Sequence, residues 1–381
     1  MMRAGQPAPI DMWVADPPDA DVAKALERLA RTDDIVRLAV MPDVHLAKDV
    51  CVGVALATES LLFPSAVGGD IGCGMAAIRL NCDGDVLSDE RSVGQLLSQL
   101  YARIPITKHS ATGAHDSEQG RPNERNLSHG SLEKRKSRDG VLQLGTLGRG
   151  NHFIEFQVDE SDAVWLMVHS GSRAMGQAIQ AHHLKNATPS STGLRYLVAH
   201  SAGGEAYLND VRWALDYASA NREAMVDAVV EIMKHEHGVD ADRTSFISCH
   251  HNFVDREDID GRSLWVHRKG AISARAGEPG LVPGSMGTPS FHVRGRGCDR
   301  SLFSSSHGAG RVMSRSVARR SISVKALKRQ MTHVWFDHRM ARRLVDEAPS
   351  AYKDISAVMR AQNPLTRIVR KLRPVLSFKG G

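Results

Sequence analysis

Short apolar runs separated by glycine, proline and aspartate make up residues 36–80 of the chain. The runs VRLAVMPDVH, VCVGVALATE, LLFPSAVGGD and GMAAIRL are each of strand length, and turn-forming residues lie between them. This pattern predicts a compact β-rich unit of short strands joined by tight turns.

A helical period replaces this pattern between residues 205 and 238, where the run of regularly spaced apolar residues ends in glycine. It predicts one long amphipathic helix within Glu205–Gly238, with Trp213 and Met225 in the core. The sequence then returns to strands and glycine-rich turns, and helices resume near Arg311. We find no internal repeat of fixed period. The whole pattern predicts a mixed α+β protein.

Residues 107–140 contain almost nothing to bury and predict a long surface loop or insertion. The cations Lys134, Arg135, Lys136 and Arg138 in this stretch could contact a polyanion. A solvated loop is the simpler explanation for them.

The chain has 381 residues, of which 42% are apolar, so it can bury a large core as one domain or two. No window approaches about 18 uninterrupted apolar residues, and the N-terminal stretch lacks the apolar run of a secretory signal. The five cysteines are odd in number and form no CxxC pair, which argues against a disulfide framework or a zinc ribbon. We therefore expect a cytoplasmic protein that does not engage a membrane.

Positive charge is concentrated at the carboxyl end of the chain. Residues 311–381 hold 17 Lys and Arg against 4 Asp and Glu, although the net charge of the whole chain is only +6. Such a segment suits a polyanionic partner such as nucleic acid. On charge alone, solvated helix faces explain it equally well.

The stretch GGDIGCGM, residues 68–75, holds Asp70 and Cys73 among four glycines that allow a tight backbone fold. Taken alone, it also fits a buried structural cysteine beside a turn aspartate. Three histidines lie at predicted strand ends or after a glycine-rich turn, namely His152, His169 and His251. Taken singly, each also fits a core histidine. Together the five side chains are too many for one tetrahedral ion and suit two metal ions that share the thiolate.

Two glycine-rich segments suit phosphate binding: LVPGSMGTPS (281–290) and SSSHGAGRVMSR (304–315). The second predicts a helix that starts just after Gly310, with Arg311 and Arg315 one turn apart on it. The chain lacks a GxxxxGK[ST] loop, a GxSxG elbow and the KxDG motif of lysine-based nucleotidyltransferases. If a nucleotide is attached covalently here, His307 is the available nucleophile.

These and further motifs resemble the RtcB RNA ligases, and they occur in order from about residue 36 to the C-terminus. The motifs are MPDVHLAK (41–48), VGGDIGCGM (67–75), LGTLGRGNHFIE (144–155), VHSGSR (168–173), CHHNFV (249–254), HRKGA (267–271), VPGSMG (282–287), SSSHGAGRVMSR (304–315) and the closing FKGG. The resemblance implies a single catalytic domain over residues 1–381, a complex mixed β-sheet core with surrounding helices, and a GTP- and Mn²⁺-dependent ligase. Such an enzyme joins RNA 2′,3′-cyclic phosphate or 3′-phosphate ends to 5′-hydroxyl ends.

Position by position, the resemblance implies Asp70, Cys73 and His152 as ligands of one Mn²⁺, and Cys73, His169 and His251 as ligands of the other. His307 becomes the residue that carries GMP, and Arg173 and Arg315 contact RNA. The resemblance also implies a monomer and leaves room for an activating protein. The GTP or GMP site is implied for Asn151, His152, Phe153, Glu155, His251, Asn252, Pro283, Gly284, Ser285, Met286, Ser290, His307, Gly308, Ala309, Gly310 and Lys379.

Three residues depart from the family pattern: Ala47, Cys51 and Arg149, the last of which interrupts a GGGN turn. None of them removes a ligand, but they leave open whether the RNA substrate is a spliced tRNA or a damaged RNA. Two other interpretations remain. One is a dinuclear metallophosphoesterase that hydrolyses a nucleotide or cyclic phosphate, and the other is an inactive RNA-binding relative with a structural metal.

Overall fold

The computed structural model describes residues 6–110 and 125–380. Its helices are α1 (Ala20–Ala30), α2 (Glu90–Arg103), α3 (Gly130–Arg135), α4 (Val141–Gln143), α5 (Arg173–Lys185), α6 (Ala202–His237), α7 (Arg315–Ser321), α8 (Val324–Gln330), α9 (Ala341–Leu344) and α10 (Ile355–Ala361). Its strands are β1 (Ile10–Met12), β2 (Ile35–His45), β3 (Val52–Thr58), β4 (Leu61–Leu62), β5 (Gly74–Asp83), β6 (Phe153–Val158), β7 (Ala163–Ser170), β8 (Thr188–Pro189), β9 (Arg195–Val198), β10 (Ala241–His250), β11 (Asn252–Ile259), β12 (Arg262–Lys269), β13 (Ala271–Ser273), β14 (Pro279–Val282), β15 (Ser290–Gly295), β16 (Ser304–Ser306) and β17 (Thr366–Lys379).

Two large sheets form the centre of the molecule. A seven-stranded sheet has the order β10-β5-β7-β6-β17-β15-β14, and its edge strands β14 and β10 come into contact, so the sheet is nearly closed. A five-stranded sheet has the order β1-β2-β3-β12-β11. With two smaller sheets and the surrounding helices, this architecture confirms the predicted α+β class.

The strands predicted in residues 36–80 are present, but they do not form one unit. β2 and β3 pair in the five-stranded sheet, whereas β5 pairs with β7 and β10 in the seven-stranded sheet. β4 belongs to a third sheet with β8 and β9. The prediction of a compact unit was wrong because the partners of β4 and β5 lie far away in sequence.

The long helix predicted between residues 205 and 238 is confirmed as α6. Ser201 caps its amino end by accepting a hydrogen bond from the Gly204 N–H, and Gly238 ends it in the left-handed conformation at φ 68°. Trp213 and Met225 are buried in the core, as predicted. The helix packs against β5, β7 and β10, so it lies beneath the β10 side of the seven-stranded sheet.

The polar stretch 107–140 is only partly a loop. Residues 111–124 lie outside the described residues, while residues 130–140 are helical, as α3 and a following π-helical turn at Lys136–Gly140. Leu132 is buried in the cluster that contains Met175 and Ile179. The loop prediction was wrong for residues 130–140 because two leucines of the polar stretch, Leu127 and Leu132, are buried in this cluster and dock the short helix.

Near the carboxyl end, residues 315–347 form what we call the helical lobe, which comprises α7, α8, α9 and a 3₁₀ turn at Val345–Glu347. Its apolar core contains Ala318, Leu327, Met331, Phe336 and Leu344.

All five cysteines are free thiols, in agreement with the absence of a disulfide framework predicted from the sequence. Within residues 6–110 and 125–380, no helix combines the length and apolar character needed to cross a bilayer.

Candidate active site

A cavity of about 340 Å³ opens where the seven-stranded sheet, the five-stranded sheet and the helical lobe meet. Three predicted site residues lie behind its lining: His152 contacts Cys73, Arg173 contacts His152, and Ser290 contacts the backbone of Gly284. The predicted residues that line it are Asp70, Cys73, Asn151, Phe153, Glu155, His169, His251, Asn252, Pro283, Gly284, Ser285, Met286, His307, Gly308, Ala309, Gly310, Arg315 and Lys379.

Five side chains able to bind metal meet at one wall of this cavity. Asp70, Cys73 and His152 form one group, Cys73, His169 and His251 form another, and the ligand atoms within each group lie within 4.8 Å of one another. Cys73 Sγ is 3.4 Å from His152 Nε2 and 3.2 Å from His169 Nε2. Cys73 belongs to both groups, so the geometry matches two metal positions that share one sulfur.

Strand register brings these ligands together. β5 begins directly after Cys73 and lies between β7 and β10, so Gly74 is opposite Ser170 on one side and His250 on the other. His169 and His251 therefore reach Cys73 from two neighbouring strands. The backbone N–H of His251 also donates to the Cys73 carbonyl at 2.8 Å, which fixes the register at the site.

Gly74 explains part of the glycine-rich sequence around Cys73. A Cβ atom at this position would lie 2.1 Å from the Cys249 carbonyl oxygen, far inside van der Waals contact. β5 and β10 could not approach each other here with any larger residue. The glycine is thus required by the convergence of Cys73 and His251.

Backbone carbonyls orient two of the imidazoles. His152 Nδ1 lies 3.0 Å from the Leu147 carbonyl, and His169 Nδ1 lies 3.0 Å from the Asn151 carbonyl. An Nδ1–H that donates to a carbonyl leaves the Nε2 lone pair free for a metal. In both residues Nε2 is the atom that faces Cys73.

The protonation states fit a metal centre. Burial lowers the pKa of His169 and His251 well below the usual value, so both rings are neutral donors. Burial, reinforced by the Asp70 charge, raises the pKa of the Cys73 thiol, and a nearby cation is needed to form the thiolate. Burial opposes ionisation of Asp70, but hydrogen bonds with His152 and Cys73 and the charges of His152 and Arg173 together outweigh it and lower the pKa of Asp70.

Two ligand atoms are also left without partners. Asp70 Oδ1 and His251 Nδ1 are buried and have no hydrogen-bond partner among the described residues. Leaving buried polar atoms unpaired is costly, and a bound cation would relieve it. A donor set of carboxylate oxygen, imidazole nitrogen and thiolate sulfur therefore fits a transition metal at this wall.

A buried arginine holds the backbone beneath the ligands. Arg222 of α6 is fully buried, and its guanidinium donates to the carbonyls of Gly72 at 3.0 Å and Ser170 at 3.1 Å. These carbonyls belong to the residues next to Cys73 and His169. Arg222 Nη2 also lies 3.3 Å from His250 Nδ1, so one side chain contacts the chain next to Cys73, His169 and His251.

His307 lies on the opposite side of the same ligands. Its ring centroid is 4.7 Å from that of His251, and its Nδ1 is 2.6 Å from Asp43 Oδ2, a carboxylate that is fully buried. Asp43 also accepts from the His307 backbone N–H at 3.2 Å. Gly310 makes this approach possible, since at φ 73° a Cβ atom there would lie 2.4 Å from the Asp43 carbonyl oxygen. Asp43 therefore fixes the orientation of the His307 ring.

The helix predicted just after Gly310 begins only at Arg315, after the capping residue Ser314. Arg311 is therefore not on this helix, and the prediction that Arg311 and Arg315 are one turn apart on it was wrong. Gly310 adopts the left-handed conformation, and Arg311 forms an isolated antiparallel β-bridge with Tyr352. These two features keep the chain extended after Gly310. Arg311 instead donates to the Asp346 carbonyl at 2.6 Å.

The two arginines nevertheless converge on the same carboxylate. Arg311 and Arg315 each donate to Glu347 Oε1, at 3.3 and 2.6 Å, and Arg315 also pairs with Asp346. Both arginines line the cavity.

At the base of the cavity, Glu155 and Lys379 are buried among polar partners. Burial raises the pKa of Glu155 to about 8, although a hydrogen bond from Gln157 and the charge of Lys379 act against this rise. Lys379 Nζ forms a short ion pair with Glu347 and lies 5.5 Å from the centroid of the Phe153 ring. Lys379 thus joins the seven-stranded sheet to the helical lobe.

Sequence reasoning did not assign a role to several residues at this site. Asp43 and Lys269 lie inside quoted motifs, yet nothing local marks them as partners of residues far away in sequence. Lys269 lines the cavity and donates to the Val50 carbonyl at 2.7 Å, and burial lowers its pKa to about 8. No sequence pattern marks Arg222 as part of the site, because a single arginine on a long helix usually lies on the surface.

Comparison with known proteins identifies the family. The family pattern described as "tRNA-splicing ligase RtcB" matches residues 25–380. The chain is 39% identical over 404 residues to the RNA-splicing ligase RtcB of Escherichia coli strain K12, covering 98% of each protein. It is 30% identical over 428 residues to the RNA-splicing ligase RtcB of Mycobacterium tuberculosis, covering 92% of this chain and 99% of the relative.

A more distant match is the tRNA-splicing ligase RtcB of Archaeoglobus fulgidus, which is 30% identical over 422 residues and covers 90% of this chain and 87% of the relative. These matches span nearly the whole chain, including every element that contributes to the cavity. On this evidence the chain belongs to the RtcB family of RNA-splicing ligases.

Proposed function

We propose that this protein is a GTP- and Mn²⁺-dependent RNA ligase that joins a 3′-phosphate or 2′,3′-cyclic phosphate end to a 5′-hydroxyl end. One observation carries the proposal. The imidazole of His307, held by the buried carboxylate of Asp43, lies directly beside the two groups of side chains that could bind metal. His307 meets Asp43 at 2.6 Å, and its ring centroid is 4.7 Å from that of His251.

The chemistry of His307 follows from the close contact between its Nδ1 and the Asp43 carboxylate. Because Asp43 engages Nδ1, Nε2 is the ring nitrogen left to attack the α-phosphorus of GTP. The new P–N bond forms as the bond to pyrophosphate breaks, and pyrophosphate leaves with the bond electrons. Asp43 stabilises the positive charge that develops on the ring during this attack.

Two transfers then lead to the joined RNA. An oxygen of the RNA 3′-phosphate attacks the phosphorus on His307, so the P–N bond breaks and GMP passes to the RNA end. The 5′-hydroxyl of the second RNA attacks the RNA phosphorus, loses its proton and displaces GMP. Two bound Mn²⁺ ions would supply positive charge opposite the phosphates and activate the water that opens a cyclic end.

The identity of the metal rests on the family rather than on the donor set. Imidazole and thiolate donors bind zinc or other late transition metals at least as well as manganese. The shared sulfur and the carboxylate of Asp70 are nevertheless compatible with Mn²⁺. We therefore expect Zn²⁺ to compete with Mn²⁺ for this protein, which a metal-competition titration can measure.

The base of the cavity suits guanine. Guanine presents two neighbouring donors, its ring N–H and its amino group, and the ionised carboxylate of Glu155 can accept from both. Burial favours the neutral form of Glu155 in the empty cavity, and these two hydrogen bonds would favour the ionised form when guanine binds. Phe153 and Lys379 flank the same space, where an aromatic ring and a cation suit a purine and its phosphates. Adenine offers an acceptor in place of the ring N–H, so Glu155 would reject it.

The test separates ligation from hydrolysis. The protein is incubated with GTP, Mn²⁺, an RNA that ends in a 3′-phosphate and a second RNA with a 5′-hydroxyl end, and products are resolved by denaturing electrophoresis. The ligase proposal expects a joined RNA that requires GTP. Release of phosphate without joined RNA would favour the dinuclear phosphoesterase, and neither product would favour an inactive relative.

A further inference from the structure

The outer surface of the helical lobe carries an unusual excess of positive charge. The lobe, residues 315–347, contains nine Lys and Arg against three acidic residues, Asp337, Asp346 and Glu347. Arg315 and Arg319 pair with Asp346, and Arg339 pairs with Asp337. The other six cations are exposed, and their side chains have no hydrogen bond or ion pair within the described ranges; we call them the basic surface: Arg320, Lys325, Lys328, Arg329, Arg342 and Arg343.

Helix geometry places these cations on the outside together. In α8, Leu327 is buried, whereas Lys325, Lys328 and Arg329 follow the i, i+3 and i+4 spacing of one exposed face. The short α9 buries Ala341 and Leu344 and leaves Arg342 and Arg343 exposed, and α8 contacts α9 directly. The five cations of α8 and α9 therefore lie on two adjoining helices, and Arg320 lies on the preceding helix α7.

No acidic side chain of the lobe pairs with the six cations of the basic surface. Like charges held close together on fixed helices repel one another, and the repulsion is relieved when a polyanion binds and releases its counterions. A partner with closely spaced negative charges is what this arrangement fits.

The basic surface is continuous with the cavity. α7 begins at Arg315, which lines the cavity, and Met286 both lines the cavity and packs in the lobe core. A linear polyanion whose end occupies the cavity and whose next units pass Arg315 therefore reaches the surface of the lobe. An RNA substrate satisfies both conditions, because its reactive end and its phosphate backbone belong to one molecule.

The surface has no exposed Phe, Tyr or Trp ring on which a base could stack. Phe336 is buried, and Trp335 is half-buried with its Nε1–H donated to the Leu87 carbonyl. Among residues 315–344, no aromatic ring other than histidine is exposed for a base to stack on. Contacts here would go to phosphates, which position a nucleic acid without selecting its sequence.

We propose that the basic surface binds the phosphate backbone of the RNA substrate beyond the end that is joined, and that it does so without sequence preference. This inference rests on the proposed ligase function, because that function supplies the RNA. It adds a second contact region, separate from the cavity, that distinguishes long RNA from short RNA.

The test compares two triple variants that remove equal charge. Lys325→Gln, Lys328→Gln and Arg329→Gln together neutralise the exposed face of α8. Arg91→Gln, Lys185→Gln and Arg212→Gln together serve as the control, since these exposed cations on α2, α5 and α6 do not line the cavity. Fluorescence anisotropy measures binding of a stem-loop RNA and of a short oligonucleotide that fills only the cavity, over a range of salt concentrations.

For the stem-loop, the α8 variant should lower the slope of log affinity against log salt by about 0.7 for each phosphate that it no longer neutralises, or about 2 in total. The control variant should keep the wild-type slope, and both variants should bind the short oligonucleotide as wild type does. Stem-loops of unrelated sequence should respond alike. Melting temperatures of the variants verify that the fold is intact.

An α8 variant with the wild-type slope would overturn the proposal and place the RNA elsewhere. Equal weakening of the short oligonucleotide would also overturn it, since the effect would then arise at the cavity. GMP attachment from GTP alone is measured on the same samples and should be unchanged. If wild type showed no GMP attachment, this would count against the ligase function. It would not count against the binding surface, because RNA affinity is measured independently.

Discussion

The two walls of the cavity are built in different ways. On one wall the candidate metal ligands Cys73, His169 and His251 are at most 3% exposed, and strand register together with Arg222 holds them in place. On the other wall the Arg315 side chain is 36% exposed and is held by ion pairs to Asp346 and Glu347. Buried backbone geometry fixes the first wall, and charge fixes the second.

This difference indicates that one wall is built to bind metal ions and the other to contact phosphates. Metal ligands must keep their positions closely, and a sheet with a packed helix beneath it provides that rigidity. Phosphate contacts tolerate adjustment, because attraction between charges falls off gradually with distance. Changes on the metal wall should therefore abolish chemistry, whereas changes on the lobe wall should have graded effects that depend on salt.

The largest effect is expected from Cys73→Ala on the metal wall. Both ligand groups contain this sulfur, so the variant should lose both metal ions and with them all GMP attachment. Metal analysis of the purified protein provides the measurement, and Cys298→Ala, a cysteine outside the cavity, provides the control. Stoichiometric Mn²⁺ in the Cys73 variant would show that the sulfur is not shared.

The next effect concerns Asp43, which contacts His307 between the two walls. Asp43→Asn keeps the shape but removes the charge that orients the ring, and a comparable change in a catalytic triad costs about 10⁴-fold in rate. We expect a loss of about 10²- to 10⁴-fold in the rate of GMP attachment, with metal content unchanged. If rapid-quench measurements gave the wild-type rate, Asp43 would have no orienting role.

A smaller effect is expected from Arg222→Lys, which keeps the buried charge but cannot reach every carbonyl. Loss of a residue that supports metal ligands typically lowers metal affinity by about 10- to 100-fold. Calorimetric titration with Mn²⁺ measures this loss, and Arg212→Lys on the same helix is the exposed control. Unchanged affinity in the Arg222 variant would mean that sheet register alone positions the ligands.

The smallest effect concerns Glu155 at the base of the cavity, whose pKa is raised by burial from 4.5 to about 8. The folded protein keeps this proton to higher pH than the unfolded chain does, so folding stability falls as pH rises from about 4.5 to 8. Glu155→Gln should remove this fall, and its melting temperature relative to wild type should rise with pH. The exposed control Glu27→Gln should follow wild type, and a Glu155 variant that also did so would contradict the prediction.

The sequence predicted the features that leave a local pattern. α6 followed from apolar spacing and its glycine cap, and the cluster of side chains that could bind metal followed from a glycine-rich turn and histidines at strand ends. The pairing of β5 with β7 and β10 did not follow, because nothing local identifies strand partners that lie far apart in the chain. For the same reason Asp43 had no visible partner, since His307 is distant in sequence.

Errors arose where one residue decided the local structure. The helix placed after Gly310 begins instead at Arg315, since Ser314 supplies the cap and Gly310 adopts a left-handed turn. Leu132, together with Leu127, docked a helix in a stretch that otherwise looked unable to bury anything. In each case tertiary contacts overrode a tendency read from a short window.

The central claim is that His307 alone carries the nucleotide, and mass spectrometry tests it most directly. Wild type, His307→Ala and the exposed control His333→Ala are incubated with GTP and Mn²⁺, and their peptides are searched for an added GMP under alkaline conditions that preserve the P–N bond. The account predicts GMP on His307 in wild type and in the control, and no GMP anywhere in the His307 variant, which should still bind metal. A GMP adduct on another residue, or one that persists in the His307 variant, would contradict it.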